Sequence, residues 1–174
     1  QLSVALEKGK GGKISDAVQQ LEEAGLLSSD SGKNPETGED AREKRYRISD
    51  NYSRFYLKYI EREKSVIDKG SYAFVSLDAL DEWDVVMGLQ FENLVLNHTA
   101  DLVEPLHLGN ALIESIAPYR RARKGDGEKG LQIDILLQTK RNNYVIELKR
   151  KRHIGREVIA EVEAKLAKLA TPRD

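Results

Sequence analysis

The stretch QIDILLQTKRNNYVIELKRK, Gln132 to Lys151, sets three chargeable side chains into two apolar runs: Asp134 within IDILL, and Glu147 and Lys149 within VIELK. Side chains alternate along an extended chain, so Asp134 shares a face with Gln132 and Leu136, and Glu147 and Lys149 share theirs with Val145. The polar KRNN segment reads as a hairpin connection, which lays Asp134 roughly one strand spacing from Glu147. Two carboxylates that close repel each other unless a cation lies between them. Magnesium has the matching chemistry: it takes oxygen ligands, uses one or two carboxylates, keeps waters, and acidifies a bound water enough to attack a phosphodiester. Lys149 would then orient that water or neutralise charge growing on the phosphate. Glu92, from a helix upstream, is a third carboxylate able to approach.

A plainer reading covers the same residues. Ile133, Ile135 and Leu137 alternate with Gln132, Asp134 and Leu136, as Tyr144, Ile146 and Leu148 do with Val145, Glu147 and Lys149. A half-buried hairpin explains both runs without any site. Glu92 taken alone is an ordinary solvated helix residue.

Charge is unevenly spread. The net charge over 174 residues is -1, yet residues 70–119 hold eight acids and no Lys or Arg, whereas residues 120–156 hold twelve bases against four acids. That block, with Arg120, Arg121, Arg123, Lys124, Arg150, Lys151 and Arg152, would contact a polyanion such as nucleic acid, or else form a solvated rim. The absence of cysteine excludes disulfides and thiolate metal sites, and His98, His107 and His153 are too far apart in sequence for a helical zinc pair. A site built from oxygen ligands stays open. No apolar run approaches membrane-spanning length and Gln1 opens no signal peptide, so the expectation is a cytoplasmic protein without a membrane partner.

The elements that must position these groups follow from periodicity. Ile14, Ala17, Val18 and Leu21 mark an amphipathic helix behind Ser15 as N-cap, stopped at Gly25. LLSS and KRYRIS read as short strands joined by a long polar loop. Helix, strand, loop and strand make the back half of a winged helix. LEKGKGGK before it is a poor partner helix, so the module looks incomplete, and with few bases its helix suits packing or a homodimer contact better than base reading. DNYSRFYLKYIEREKSVI predicts a helix capped by Asp50 or Asn51, with Phe55, Tyr56, Tyr59 and Ile60 as a core stripe. The region SLDALDEWDVVMGLQFENLVLNHTADLVE is helical, burying Leu80, Trp83, Val86 or Met87, Phe91, Leu94 and Val95. Strands follow at IESIAPYRRAR, LQIDILLQT and NNYVIELKR. A last helix, EVIAEVEAKLAKL, is apolar at Val158, Ile159, Val162, Leu166 and Leu169.

With Asp134 thirteen residues before Glu147-Leu148-Lys149, and GLQFE carrying Glu92 upstream, the chain resembles the PD-(D/E)xK nuclease superfamily. The order of helix and wing, then YRISDNYSRFYLKYI, GLQFENLV, IDILL and VIELK, is similar to the C-terminal region of the archaeal-type ATPases of prokaryotes. There a P-loop domain precedes a winged helix and a nuclease-like tail. The resemblance implies an α/β (α+β) chain: a partial winged-helix domain at 1–49, a helical linker at 50–78, and a restriction-endonuclease-like mixed sheet flanked by helices at 79–174. It implies a magnesium or manganese ion held by Asp134, Glu147 and the Leu148 carbonyl, support from Glu92, and a catalytic Lys149. The partners implied are nucleic acid, as DNA, and the ATPase domain of a parent chain. GKGGKIS lacks the GxxxxGK(S/T) spacing, so ATP binding is not expected here, and no proline precedes Asp134. Relatives continue past TPRD with further strands, so the chain reads as a fragment. The competing expectation is a non-catalytic module that binds nucleic acid or a partner and regulates the ATPase.

Overall fold

The computed structural model describes residues 12–41, 44–122 and 130–169. It combines helices with small sheets, an α+β arrangement, in two compact units: Gln1–Ser29 with Arg45–Phe74, and Asp30–Lys44 with Val75–Asp174.

In the first unit α1, Gly12–Glu23, buries Val18. Ser15 lies inside this helix rather than capping it, because Gly12 to Ile14 already belong to the helical run. Gly25 ends it as foreseen: at φ 72°, a conformation only glycine adopts without strain, its amide donates to the Glu22 carbonyl and the next amide to Leu21. Strands β1, Leu27–Asp30, and β2, Arg45–Ile48, pair in a two-stranded sheet, completing the foreseen helix, strand, loop and strand order. Asp50 caps α2, Asn51–Phe55, by accepting from the Ser53 amide at 2.7 Å and the Tyr52 amide at 3.3 Å. These bonds, Ser53 foremost, hold its carboxyl below the usual range. A π-helical turn, Tyr56–Ile60, continues α2 and sets Tyr59 against Phe55, with centroids 5.4 Å apart and the ring planes tilted by 56°. The short α3, Lys64–Asp68, follows.

The second unit is built around one strand. β3, Ile113–Arg121, β4, Leu131–Thr139, and β5, Asn143–Ile146, form a sheet of order β3-β4-β5, antiparallel at both junctions. Central β4 alternates at its start, with Gln132 exposed and Ile133 wholly buried, but Ile135 to Gln138 are all buried, so its second half is covered on both faces. The turn after it closes through the Thr139 amide to the Asn142 carbonyl at 2.9 Å, with the Asn142 amide returning to the Thr139 hydroxyl at 3.0 Å. The loop at residues 30–41 runs along β3: Gly32 lies where a Cβ would come within 3.2 Å of the Ala117 methyl, and Lys33 pairs with Glu114 at 4.0 Å.

Two helices flank this sheet in the chain, α4, Trp83–Asn97, and α5, Glu157–Leu166. α5 packs on β4 and β5, and Leu169 just beyond it joins Leu131, Ile133 and Leu136 in the core. Three expectations change. The sheet is antiparallel throughout the described strands rather than mixed, because each of its connections is a direct return. On α4 the buried positions are Val86 and Asn93, and Leu94, one helical step of about 100° onward, is 51% exposed. On α5, Ile159 and Leu166 are exposed, leaving Val158, Val162 and Leu169 to face inward. No helix among the described residues is long and apolar enough to cross a membrane.

Candidate functional site

The antiparallel register ends at the pair Ile135 and Ile146, and continued by one step it would set Asp134 opposite Glu147. The regular ladder stops there: β5 ends at Ile146 instead of running through Lys149. Asp134 accounts for the change, because its Oδ2 accepts the Leu148 amide at 3.0 Å, a carboxylate serving where a ladder would offer a backbone carbonyl. The Glu147-Leu148-Lys149 segment thereby stays beside β4 after leaving the sheet.

Glu147 has a side chain only 5% exposed, and both of its oxygens are engaged by ammonium groups. Lys149 Nζ donates to Oε1 at 2.6 Å, and Lys165 Nζ, from α5, donates to Oε2. Glu161, one turn before Lys165, receives both lysines on its Oε1, Lys149 at 3.1 Å and Lys165 at 3.4 Å. The result is a closed square of alternating charge, the arrangement that makes a nearly buried carboxylate tolerable. The hydrogen bond to Glu147 raises the pKa of Lys149 against the opposing effect of burial, and that to Lys149 lowers the pKa of Glu161.

Glu92, Asp134, Glu147, Leu148 and Lys149 all line one open cleft of about 460 Å³. The five positions expected from sequence therefore converge. Three more charged residues line it that sequence reasoning missed, Glu161, Lys165 and Lys168 of the α5 region. Their spacing of four and then three residues held the signal, since i, i+4 and i+7 share a helix face.

Among the described residues, Arg120, Arg121, Arg150, Lys151 and Arg152 of the basic block do not line this cleft. Arg121 turns its guanidinium to the Lys168 carbonyl at 2.9 Å and to Glu36 at 3.8 Å, and Arg150 pairs with Asp84 at 3.3 Å. Arg120, Lys151 and Arg152 are exposed, and Arg123 and Lys124 lie outside the described residues. Among the described residues, the cations that line the cleft are Lys149, Lys165 and Lys168.

The donors at the cleft are oxygen ligands of the kind a hard divalent cation takes, with Asp134 on β4 and Glu147 just after β5. Among the described residues no three His, Asp or Glu side chains stand grouped as a metal site. Ammonium groups occupy the Glu147 oxygens and supply the positive charge that a cation would bring. The residues fit a divalent ion by donor type, provided the lysines yield Glu147 to it. Compared with known proteins, the chain matches no family model, no curated protein and no solved structure.

Proposed function

We propose that the second unit is a magnesium- or manganese-dependent nuclease-like domain of the PD-(D/E)xK type, acting on DNA phosphodiesters. In this reading it follows a partial winged helix, and both belong to the C-terminal region of a larger cytoplasmic archaeal-type ATPase. The observation that carries the reading is the convergence of Asp134, Glu147, Leu148, Lys149 and Glu92 on one cleft, although they come from three separate segments of the chain. Asp134 and Glu147, with the Leu148 carbonyl, would hold the ion. When bound, a divalent ion supplies Lewis acidity at the phosphate and acidifies water. Lys149, freed from Glu147, neutralises charge growing on the scissile phosphate, and Glu92 adds a carboxylate at the cleft wall. Exposed Arg120, Lys151 and Arg152 hold the DNA backbone outside the cleft.

One observation favours the second reading, a non-catalytic module that binds nucleic acid or a partner protein and regulates the ATPase. Glu147 is already fully satisfied by two ammonium groups, as a purely structural carboxylate would be. Incubating supercoiled plasmid with magnesium or manganese separates the two. Nicking by the wild type that disappears in both Glu147→Ala and Lys149→Ala supports the enzyme. DNA retention without nicking by the wild type supports the module.

A further inference from the structure

Among the described residues, the ionisable ones lining the cleft number seven: four carboxylates, Glu92, Asp134, Glu147 and Glu161, against three ammonium groups, Lys149, Lys165 and Lys168. They leave one negative charge. A divalent cation would reverse it to one positive charge, which a single phosphodiester then cancels. The lysines must, however, give up Glu147 for the cation to enter. Lys165 Nζ lies on the Glu147 carboxylate, and Lys149 lies on its other oxygen at 2.6 Å. Both already touch Glu161, at 3.4 and 3.1 Å. Glu161 is 41% exposed, whereas Glu147 is 5% exposed, so Glu161 keeps contact with water and costs less to leave with its charge partly compensated.

We propose that Lys165 is a built-in competitor of the divalent cation for Glu147, and that Glu161 is the acceptor that takes over Lys165 and Lys149 when the cation arrives. The inference rests on the metal-dependent reading above and assigns two residues of α5 a positioning role in it. Lys165 keeps the carboxylate compensated while the cleft lacks an ion. Glu161 keeps both ammonium groups inside the cleft afterwards, where Lys149 and Lys165 face the incoming phosphate. Removing Lys165 should therefore tighten the ion, and removing the charge of Glu161 should loosen it, because the lysines then have only Glu147 to hold.

Manganese binding, followed by calorimetry and by the loss of the free-ion paramagnetic signal, tests this on the intact chain without any turnover. Lys165→Gln should bind manganese about tenfold more tightly than wild type, and Glu161→Gln about tenfold more weakly, within the usual range for coupled ligands. Lys165→Arg, which keeps the cation, should stay near the wild-type affinity, and Glu147→Gln should lose binding. Should Lys165→Gln fail to fold by circular dichroism, Glu161→Gln, at an exposed position, carries the test alone. If Glu147→Gln abolishes binding while Lys165→Gln and Glu161→Gln match the wild type or shift in the opposite senses, this inference is overturned and the metal-dependent reading stands. If neither the wild type nor Lys165→Gln binds manganese, both are overturned.

Discussion

Lys165 donates its ammonium to the carboxylate of Glu147, eighteen residues earlier in the chain, and thereby ties α5 to the segment that leaves the sheet after β5. A helix contributes this cation to a carboxylate that the preceding strand delivers. The same contact joins α5 to that segment and lies at the cleft, so substitutions there should separate structural from functional effects.

Breaking one side of the square leaves its other members uncompensated. Glu147→Leu should destabilise the second unit by about 1–3 kcal/mol, less than a fully buried pair would lose, because both lysines reach solvent. The double variant Glu147→Leu with Lys165→Met should recover part of the loss. Urea denaturation of the wild type, the two single variants Glu147→Leu and Lys165→Met, and the double variant measures the coupling, and strict additivity would show that the contact contributes nothing.

Asp134 has two separable jobs. Asp134→Asn keeps an oxygen for the Leu148 amide and should unfold near the wild-type urea midpoint, yet lose metal-dependent nicking. Asp134→Leu strands that amide and should cost about 1–3 kcal/mol as well. Equal stability of the two variants would show that the bond at 3.0 Å does not hold the segment.

The stability of the charge square depends on pH in two directions. Glu161 is lowered from 4.5, so its contribution is complete above that value and is lost as pH falls through the lower folded value. Lys149 is raised from 10.5, so its contribution is complete below that value and is lost as pH rises through the higher folded value. Asp50 adds to the acid limb, since its folded value lies below its ordinary 3.8. Melting temperature should thus fall at both extremes, and Glu161→Gln should shallow the acid limb. High salt should weaken both effects, since these groups are partly exposed.

The cations divide by their partners. Arg120→Ala and Lys151→Ala should each weaken DNA binding and reduce the salt slope of log K by about 1, as loss of one phosphate contact does. Arg121→Ala should act on stability instead, since its guanidinium holds Glu36 and the Lys168 carbonyl. Filter binding across a salt series, read beside melting curves, distinguishes the two classes. A lowered salt slope for Arg121→Ala would contradict the assignment.

The sequence made the backbone plan readable where local chemistry decides it. Gly25 as a helix stop, Asp50 as a cap, the KRNN hairpin and the core parity of Ile133, Ile135 and Leu137 all follow from turn chemistry and period two, and the adjacency of Asp134 and Glu147 comes from combining these. Reading ran out where tertiary contacts decide. Strand β5 stops at Ile146 because a side chain replaced the ladder acceptor, which alternation cannot show. Asn93 is buried at 2% exposure and Leu94 is turned outward, against the hydropathy of the two side chains. Glu161 and Lys165 belong to the polar face of a helix read only for its apolar stripe. Counting bases between residues 120 and 156 gave a density but no direction, and Arg121 folds back onto Glu36.

The most direct measurement of the central claim is anomalous scattering from crystals soaked in manganese. The account predicts a peak bounded by the Asp134 and Glu147 carboxylates and the Leu148 carbonyl, with Lys165 moved off Glu147 toward Glu161. A manganese-soaked crystal in which that position stays dark, with Lys149 and Lys165 still on Glu147, would contradict it.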